Sequence, residues 1–373
     1  MKALLIDDEP LALKALSKQL EQSGRVQVAA ACTNVNEALL LARQLQPDVI
    51  FLDIQMPEMN GLEAAELLYE AVGDVDIVFV TAHDEFAVQA FEVNATDYLL
   101  KPVNYERLSR TLSHLASRPG RESRASRQSA AAIIRCFHQL QLESGRPLPV
   151  SWRTAKAQEL FAYLVHRRHD PVSKEHLLAS LWHDAPSNRE FSQLYGTIYQ
   201  IRKALSSVHM PVRIENTASG YVLQLHNTQL DVELWETGVR EAMDTEMTES
   251  NLPQCMRCFD MYSGHYFGEY DYIWAESERE RLRRIWYAFS VKLGTFLHQS
   301  MRLKEALHVY HRILTLEPYD EDAQWQTMKL YLDMNNWSAV EKQYTGFVEL
   351  LRNELDAQPR ADIQQWMEEN RLR

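Results

Sequence analysis

The chain has 373 residues, 46% of them hydrophobic, and a formal net charge of −13. That length predicts two or three domains, since single cores rarely grow past about 250 residues. No apolar run approaches the roughly 18 residues needed to span a bilayer, and the start, Met1 to Asp8, lacks the basic and long apolar regions of a signal peptide. The expectation is a cytoplasmic protein with no membrane partner. Four scattered cysteines (Cys32, Cys136, Cys255, Cys258) exclude a disulfide framework. Cys255 and Cys258 make a lone C-x-x-C without His partners, which reads as two neighbours rather than a zinc or redox site.

The first segment, to about residue 118, alternates short apolar strands with amphipathic helices. Strands are predicted at Ala3–Ile6, Val26–Ala31, Val49–Leu52, Ile77–Val80 and Tyr98–Leu100, with helices such as Leu11–Gln22 and Val35–Leu45 between them. Five such units imply a doubly wound α/β fold: five parallel strands with helices on both faces. Ligands in such folds bind at the carboxyl ends of the strands. The polar residues fall there: Asp7 and Asp8 after strand one, Asp53 after strand three, Thr81 after strand four, Lys101 and Pro102 after strand five. Acids at strand ends also serve as turn residues and helix caps. Five polar positions on one edge favour a site. Three close carboxylates repel one another unless a cation neutralises them, and all-oxygen ligands beside a phosphoryl group suit Mg²⁺. One carboxylate then acts as nucleophile, Lys101 adds positive charge, and the Thr81 hydroxyl meets a phosphoryl oxygen.

The strings Leu4-Leu-Ile-Asp-Asp-Glu-Pro10, Phe51-Leu-Asp-Ile-Gln-Met-Pro-Glu-Met-Asn-Gly61, Val80-Thr-Ala-His83 and Asp97-Tyr-Leu-Leu-Lys-Pro102 resemble response-regulator receiver domains. The resemblance covers about a third of the chain. It implies Asp53 as phospho-acceptor and a sensor histidine kinase as donor. It also implies Mg²⁺ held by Asp8, Asp53 and the backbone carbonyl of Gln55, with Asp7 acting through water. Thr81 and Tyr98 become the switch pair, and the bond before Pro102 is cis. Phosphorylation adds nearly two negative charges. Thr81 is expected to move toward them and Tyr98 to turn into the vacated space, reshaping the surface around the fourth helix, fifth strand and fifth helix. That face is expected to form a homodimer. Gln55 and His83 lie where they tune access of water to the phosphorylated Asp53.

Residues 119–130 are polar, basic and without apolar period, as in a tether. The next segment, 131–226, opens with strand-like alternation over Ile133–Leu142. Three helical stretches follow, Ala155–Arg167, Ser173–Trp182 and Arg189–Ser206. It closes with Val212–Glu215 and Tyr221–Leu225 around Asn216–Gly220. Helix, helix, helix, hairpin is the order of a winged helix-turn-helix. From Arg121 to His226 there are 14 Lys+Arg against 8 Asp+Glu, a surplus of 6 that leaves −19 for the rest. A basic segment in an acidic chain is the asymmetry of one nucleic-acid-binding domain. In the third helix Leu194, Ile198, Ile201 and Leu205 form a buried stripe. The opposite face then carries Ser192, Gln193, Gly196, Tyr199, Gln200 and Lys203, suited to the major groove. Arg189, Arg202 and Arg213 are candidates for phosphate contacts.

Residues 230–373 are helical throughout, with an apolar stripe in each of Glu276–His298, Leu303–Leu314, Asp320–Asp333, Trp337–Glu354 and Ala361–Asn370. An offset of 34 residues relates Ala306 to Val340 and Tyr310 to Tyr344, and Gly294 and Pro318 flank Ala306 as a tetratricopeptide repeat requires. The second copy lacks the Pro, and a plain helical bundle is the competing reading. Glu276–Arg279 and Glu280–Arg284 are spaced to pair along one helix face.

Trp152-Arg-Thr-Ala-Lys-Ala-Gln-Glu-Leu160, Leu178-Ala-Ser-Leu-Trp182, Ile201-Arg-Lys-Ala-Leu205 and Gly220-Tyr-Val-Leu223 resemble an OmpR-type winged helix of SARP-family activators. Tyr262-Ser-Gly-His-Tyr-Phe-Gly268 and Trp274-Ala-Glu-Ser-Glu-Arg279 resemble their bacterial transcriptional activator domain. The recognition helix departs from the family's Arg/Ser-rich pattern, having Gln193, Tyr195, Tyr199 and Gln200. Together the resemblances imply a two-component transcription factor that binds promoter DNA as a phosphorylated dimer and contacts RNA polymerase. The alternative is a phospho-switched adaptor signalling through its helical repeats. No output enzyme is expected, since no nucleophile–base pair or phosphate loop stands outside the first segment.

Overall fold

The computed structural model describes residues 1–371 except 58, 74, 83–96, 117–131 and 183–189. The chain divides into two compact units. One comprises Met1–Ile133 with Gln141–Thr228; the other comprises Ile134–Leu140 with Gln229–Arg373.

The first unit begins with five strands: β1 (Lys2–Ile6), β2 (Gln27–Cys32), β3 (Val49–Asp53), β4 (Asp76–Thr81) and β5 (Asp97–Leu100). They form one sheet in the order β2-β1-β3-β4-β5, every pairing parallel. Alternation along each strand assigns the two faces. Leu4, Ile6, Ile50 and Leu52 pack with Ala38 and Ala42 of α2 (Val35–Leu45) and Leu62, Ala65 and Leu68 of α3 (Gly61–Val72). Ala3, Leu5, Val49 and Phe51 pack on the other side with Leu13, Leu16 and Leu20 of α1 (Pro10–Gln22). Leu108, Leu112 and Leu115 of α4 (Tyr105–Ala116) join them there. Asn34 and Asn60 cap α2 and α3, each accepting a backbone N–H one turn in.

The same unit holds the short antiparallel pair β7 (Gln141–Ser144) and β8 (Pro147–Leu148). Helices α5 (Ala155–His166), α6 (Lys174–Leu181) and α7 (Glu190–Ser207) follow. Then comes the antiparallel hairpin β9 (Val212–Thr217) and β10 (Gly220–Leu225). Thr154 and Ser173 cap α5 and α6. Val172 and Tyr221 exchange backbone hydrogen bonds at 2.8 Å, tying the hairpin to the start of α6. Gly220 permits this: its φ is +126°, and a Cβ there would lie 2.0 Å from the Val172 carbonyl oxygen. This is a winged helix-turn-helix.

The second unit is helical: α8 (Asp231–Asp244), α9 (Leu252–Met261), α10 (Glu276–Gln299), α11 (Leu303–Leu316), α12 (Glu321–Asp333), α13 (Trp337–Leu355) and α14 (Ala361–Arg371). Helices α10 to α13 pack each on the next, as a tandem helical repeat requires. Gly294 lets the Tyr310 ring approach where a Cβ would come within 2.8 Å. Arg279 pairs with Glu276, and Arg284 with Glu280 at 2.7 Å. All four cysteines are buried free thiols, and Cys258 lies against Gly238.

The expectation of one strand-like run over Ile133–Leu142 needs correction. Strand β6 (Ala132–Arg135) ends early, and residues 134–140 group with the helical unit. The buried Asp231 carboxylate accepts the backbone N–H of Cys136 at 2.8 Å and of Phe137 at 3.3 Å. The Phe137 ring packs on Trp235 and Tyr262. An apolar plug and a strand share the same alternation, so sequence could not separate them.

Candidate functional site

Because the five strands are parallel, their C-terminal ends share one edge. Asp53 ends β3, Thr81 ends β4, Asp7 follows β1 and Lys101 follows β5. Asp7, Asp53 and Thr81 are buried and Asp8 is half-buried. One carboxylate oxygen from each of Asp7, Asp8 and Asp53 lies within 4.8 Å of the others, the spacing of a shared cation. Lys101 Nζ reaches Asp53 Oδ2 at 2.7 Å and Asp7 Oδ2 at 2.8 Å. Glu9 stands 3.7 Å from it. Burial pushes the Asp7 carboxyl up from its ordinary value, against the hydrogen bond and charge of Lys101. Burial acts to lower the Lys101 ammonium, but its hydrogen bonds to Asp53 and Asp7 and their charge leave it raised. The lysine is therefore a fixed cation.

Local backbone geometry holds these groups. The exposed Gln55 donates its N–H to Asp53 Oδ1 at 3.3 Å. Lys101 donates its N–H to the Thr81 carbonyl at 2.8 Å, and the Lys101–Pro102 bond is cis. At the start of α3, Gly61 donates to the Ile54 carbonyl at 2.7 Å, and a Cβ on it would lie 2.1 Å from the Asp53 carbonyl oxygen. Only glycine lets α3 begin so close to the phospho-acceptor candidate. Tyr98 lies inside the core, 8% exposed. His83 and the fourth receiver helix expected from sequence lie outside the described residues. Asp97 carries a role missed in the sequence: it accepts from Thr111 Oγ1 at 2.6 Å and from Arg107, fastening β5 to α4. A lone acid opening a strand gives no signal of that.

The second candidate site is α7. Leu194, Ile198, Ile201 and Leu205 are buried, as the spacing predicts. The face expected to be open for DNA is largely covered. Gly196, Tyr199 and Gln200 are buried, and Ser192, Gln193 and Lys203 are half-buried. Arg202 is 5% exposed, not a free phosphate contact. It donates to the Ile214 carbonyl at 3.0 Å and 2.6 Å and to Glu70 at 2.7 Å, with Glu66 3.4 Å away. Arg213 is exposed on β9; Arg189 lies outside the described residues. The covering element is α3, through Glu63, Glu66 and Glu70.

Comparison with known proteins matches three segments of the chain. Residues 3–113 match the response regulator receiver domain, residues 151–223 the C-terminal domain of transcriptional regulatory proteins, and residues 230–371 the bacterial transcriptional activator domain. The domains are those of a transcriptional response regulator. An uncharacterized response regulatory protein of Yersinia pestis is 46% identical over 116 residues, 31% of this regulator and 48% of that protein. The transcriptional regulatory protein BtsR of Escherichia coli is 44% identical over 115 residues, again 31% and 48%. The regulator thus spans about half the length of the curated relatives it matches, through its receiver. A structure of Mycobacterium tuberculosis EmbR in complex with a low-affinity phosphopeptide is 18% identical, covering 64% of each chain with a TM-score of 0.48.

Proposed function

We propose that this chain is a two-component transcription factor that takes a phosphoryl group on Asp53 and binds promoter DNA through its winged helix. The convergence of Asp7, Asp8, Asp53, Thr81 and Lys101 on one sheet edge carries the reading. A carboxylate oxygen of Asp53 attacks the phosphorus of a sensor kinase's phosphohistidine. The P–N bond breaks and the imidazole nitrogen leaves with the electron pair, then takes a proton from water. Lys101, already within 2.8 Å of Asp7 and Asp53, meets charge on the incoming phosphoryl oxygens, and the Thr81 hydroxyl donates to one of them. Asp8 and Asp53, with the Gln55 carbonyl and Asp7 through water, are the residues that would hold Mg²⁺. Bound there, Mg²⁺ would offset the acids' mutual repulsion and charge on the transferring group.

Thr81 and Tyr98 form the proposed switch pair. Tyr98 packs in the receiver core, and phosphorylation would shift the population among its packings. The regulator then dimerises, α7 and the exposed Arg213 meet DNA, and the helical domain contacts RNA polymerase. Among the described residues no helix is long and apolar enough to cross a membrane, which accords with work in the cytoplasm.

Intact-mass measurement with acetyl phosphate and Mg²⁺ tests the phospho-acceptor. One added phosphoryl group is expected, lost on hydroxylamine treatment and absent in Asp53→Asn. Equal uptake by Asp53→Asn would move the acceptor elsewhere.

A further inference from the structure

The helical unit repeats itself imperfectly, and two departures of the second copy from the first fall together. At the 34-residue offset that relates Tyr310 to Tyr344, Arg312 corresponds to Gly346 and Val309 to Gln343. In the first copy both positions are occupied by packed or bonded side chains. Val309 is fully buried, and the Arg312 guanidinium donates to the carbonyls of Tyr262 and Ser263. In the second copy Gly346 stands exposed in the middle of α13, and a Cβ built on it meets nothing within 4 Å. Glycine inside a helix costs stability relative to alanine. At Gly294 the close approach of the Tyr310 ring accounts for that cost. At Gly346 no neighbour does, and its backbone is ordinary helix. What the glycine leaves open is a cavity of about 320 Å³ between α11, α12 and α13.

The lining combines apolar and polar groups. Ala339, Phe347 and Leu350 are its apolar part. The polar groups hold one another in place. Gln324 of α12, 5% exposed, accepts from Gln343 Nε2 at 2.7 Å and donates to the Pro318 carbonyl at 3.2 Å. That fixes the Gln343 amide and leaves its second N–H without a partner among the described residues. Tyr331 Oη and His311 Nε2 share a hydrogen bond of 3.1 Å. With Nε2 protonated, the imidazole donates and the tyrosine proton is free to meet a ligand oxygen. Lys342 also lines the cavity and makes no ion pair among the described residues. No acidic side chain lines it, although residues 230–373 carry 26 Asp+Glu against 16 Lys+Arg. An acid-free groove in an acidic unit, with one ammonium beside neutral donors, suits a single negative charge. A lone lysine is a point charge without the fork that grips phosphate, and the apolar residues call for hydrocarbon next to the charge. The volume stands at the low end of the roughly 300–1,000 Å³ of small-molecule sites. We propose that this groove is a ligand site for a small organic acid, a monocarboxylate on an aryl or branched alkyl body, with its carboxylate on Lys342 and the Tyr331 hydroxyl and its body on Phe347 and Leu350. The site draws on no residue of the other unit, so it stands whether or not Asp53 and the winged helix act as proposed. A bound acid is then a chemical input to the regulator beside phosphoryl transfer.

The test is ligand-observed NMR titration of the full-length protein with phenylacetate, 3-phenylpropionate and 4-methylvalerate. Three comparison probes accompany them. Phenylacetamide keeps the ring and removes the charge, phenyl phosphate raises the charge, and a tripeptide ending in phenylalanine carries a carboxylate on a chain. Two variants locate the site. Gly346→Leu fills the cavity and favours the helix, and Lys342→Gln removes the charge at an exposed position. Circular dichroism and melting establish that both are folded. At least one of the three acids is expected to saturate the wild type below about 10 mM. Gly346→Leu is expected to abolish that binding, and Lys342→Gln or the amide probe to weaken it about tenfold. No saturable binding of any of the three acids overturns the site. So does binding that survives Gly346→Leu. An affinity untouched by Lys342→Gln, an amide bound as tightly as its acid, or phenyl phosphate bound more tightly than all three, overturns the monocarboxylate. A tripeptide bound more tightly than all three acids overturns the small ligand in favour of a peptide.

Discussion

Glu66 makes the α3–α7 contact sensitive to pH, and the sign can be worked from its surroundings. Its carboxyl is 1% exposed. Burial raises it from 4.5 to about 7, opposed by the charge of Arg202, the Tyr221 hydrogen bond and Lys174, and aided by Glu70. Tyr195 and Tyr221, also facing it, are themselves raised, by burial first, and stay neutral. When the contact opens, Glu66 returns toward its ordinary value. The docked form therefore holds a proton that the open form releases. Docking is at full strength below about pH 4.5 and is lost progressively as pH rises through about 7. Each pH unit inside that window weakens docking by up to about tenfold, roughly 3 kcal/mol in all. Arg202 keeps Glu70 as counter-ion throughout. Amide exchange over residues 191–207, corrected for the intrinsic pH dependence of exchange, is expected to show opening that grows from pH 5.5 to 7.5 and then levels. Glu66→Gln, which imitates the protonated carboxyl, is expected to flatten that profile and keep α7 protected at pH 8. A wild-type contact that tightens as pH rises, or a Glu66→Gln profile as steep as wild type, would refute the reasoning.

Three further outcomes follow from the geometry. Asp231→Ala strips the acceptor from two buried N–H groups and is expected to cost the helical unit about 2–4 kcal/mol, read as a lowered denaturant midpoint; an unchanged midpoint contradicts the anchor. Gly61→Ala drives a Cβ into the Asp53 carbonyl and is expected to destabilise the receiver by about 1–3 kcal/mol and to slow phosphoryl uptake from acetyl phosphate; normal melting and uptake would show that the loop yields freely. Beryllofluoride with Mg²⁺ is expected to raise amide exchange in α7 of the wild type and to leave Asp53→Asn unmoved, and protection unaltered by beryllofluoride would uncouple Asp53 from the α3–α7 contact.

The receiver was legible in the sequence because its signals are local. Alternating apolar strands fix both faces of the sheet, and a parallel sheet brings Asp7, Asp53, Thr81 and Lys101 to one edge whatever the loops do. The winged helix was legible in its order of elements and in the Leu194–Leu205 stripe. Long-range placement was not. Gly196, Tyr199 and Gln200 read as an open DNA face, and Arg202 as a phosphate contact, because nothing in a helix's own period reveals that another element lies on it. Glu63, Glu66 and Glu70 carried the matching signal, an acidic stripe at helical spacing, but such stripes are usually solvated. The excursion of residues 134–140 stayed hidden for a related reason: Phe137 looks like a strand residue until Asp231, 94 residues on, supplies its backbone with an acceptor.

The central claim is a phosphorylation-dependent DNA-binding regulator, and selection of sheared genomic DNA by the full-length protein tests it most directly. With Mg²⁺ at near-physiological salt, acetyl phosphate is expected to enrich a few upstream regions reproducibly, and Asp53→Asn is expected to lose that enrichment. Retention that is sequence-blind, or equal with and without the phosphoryl donor, would contradict the account.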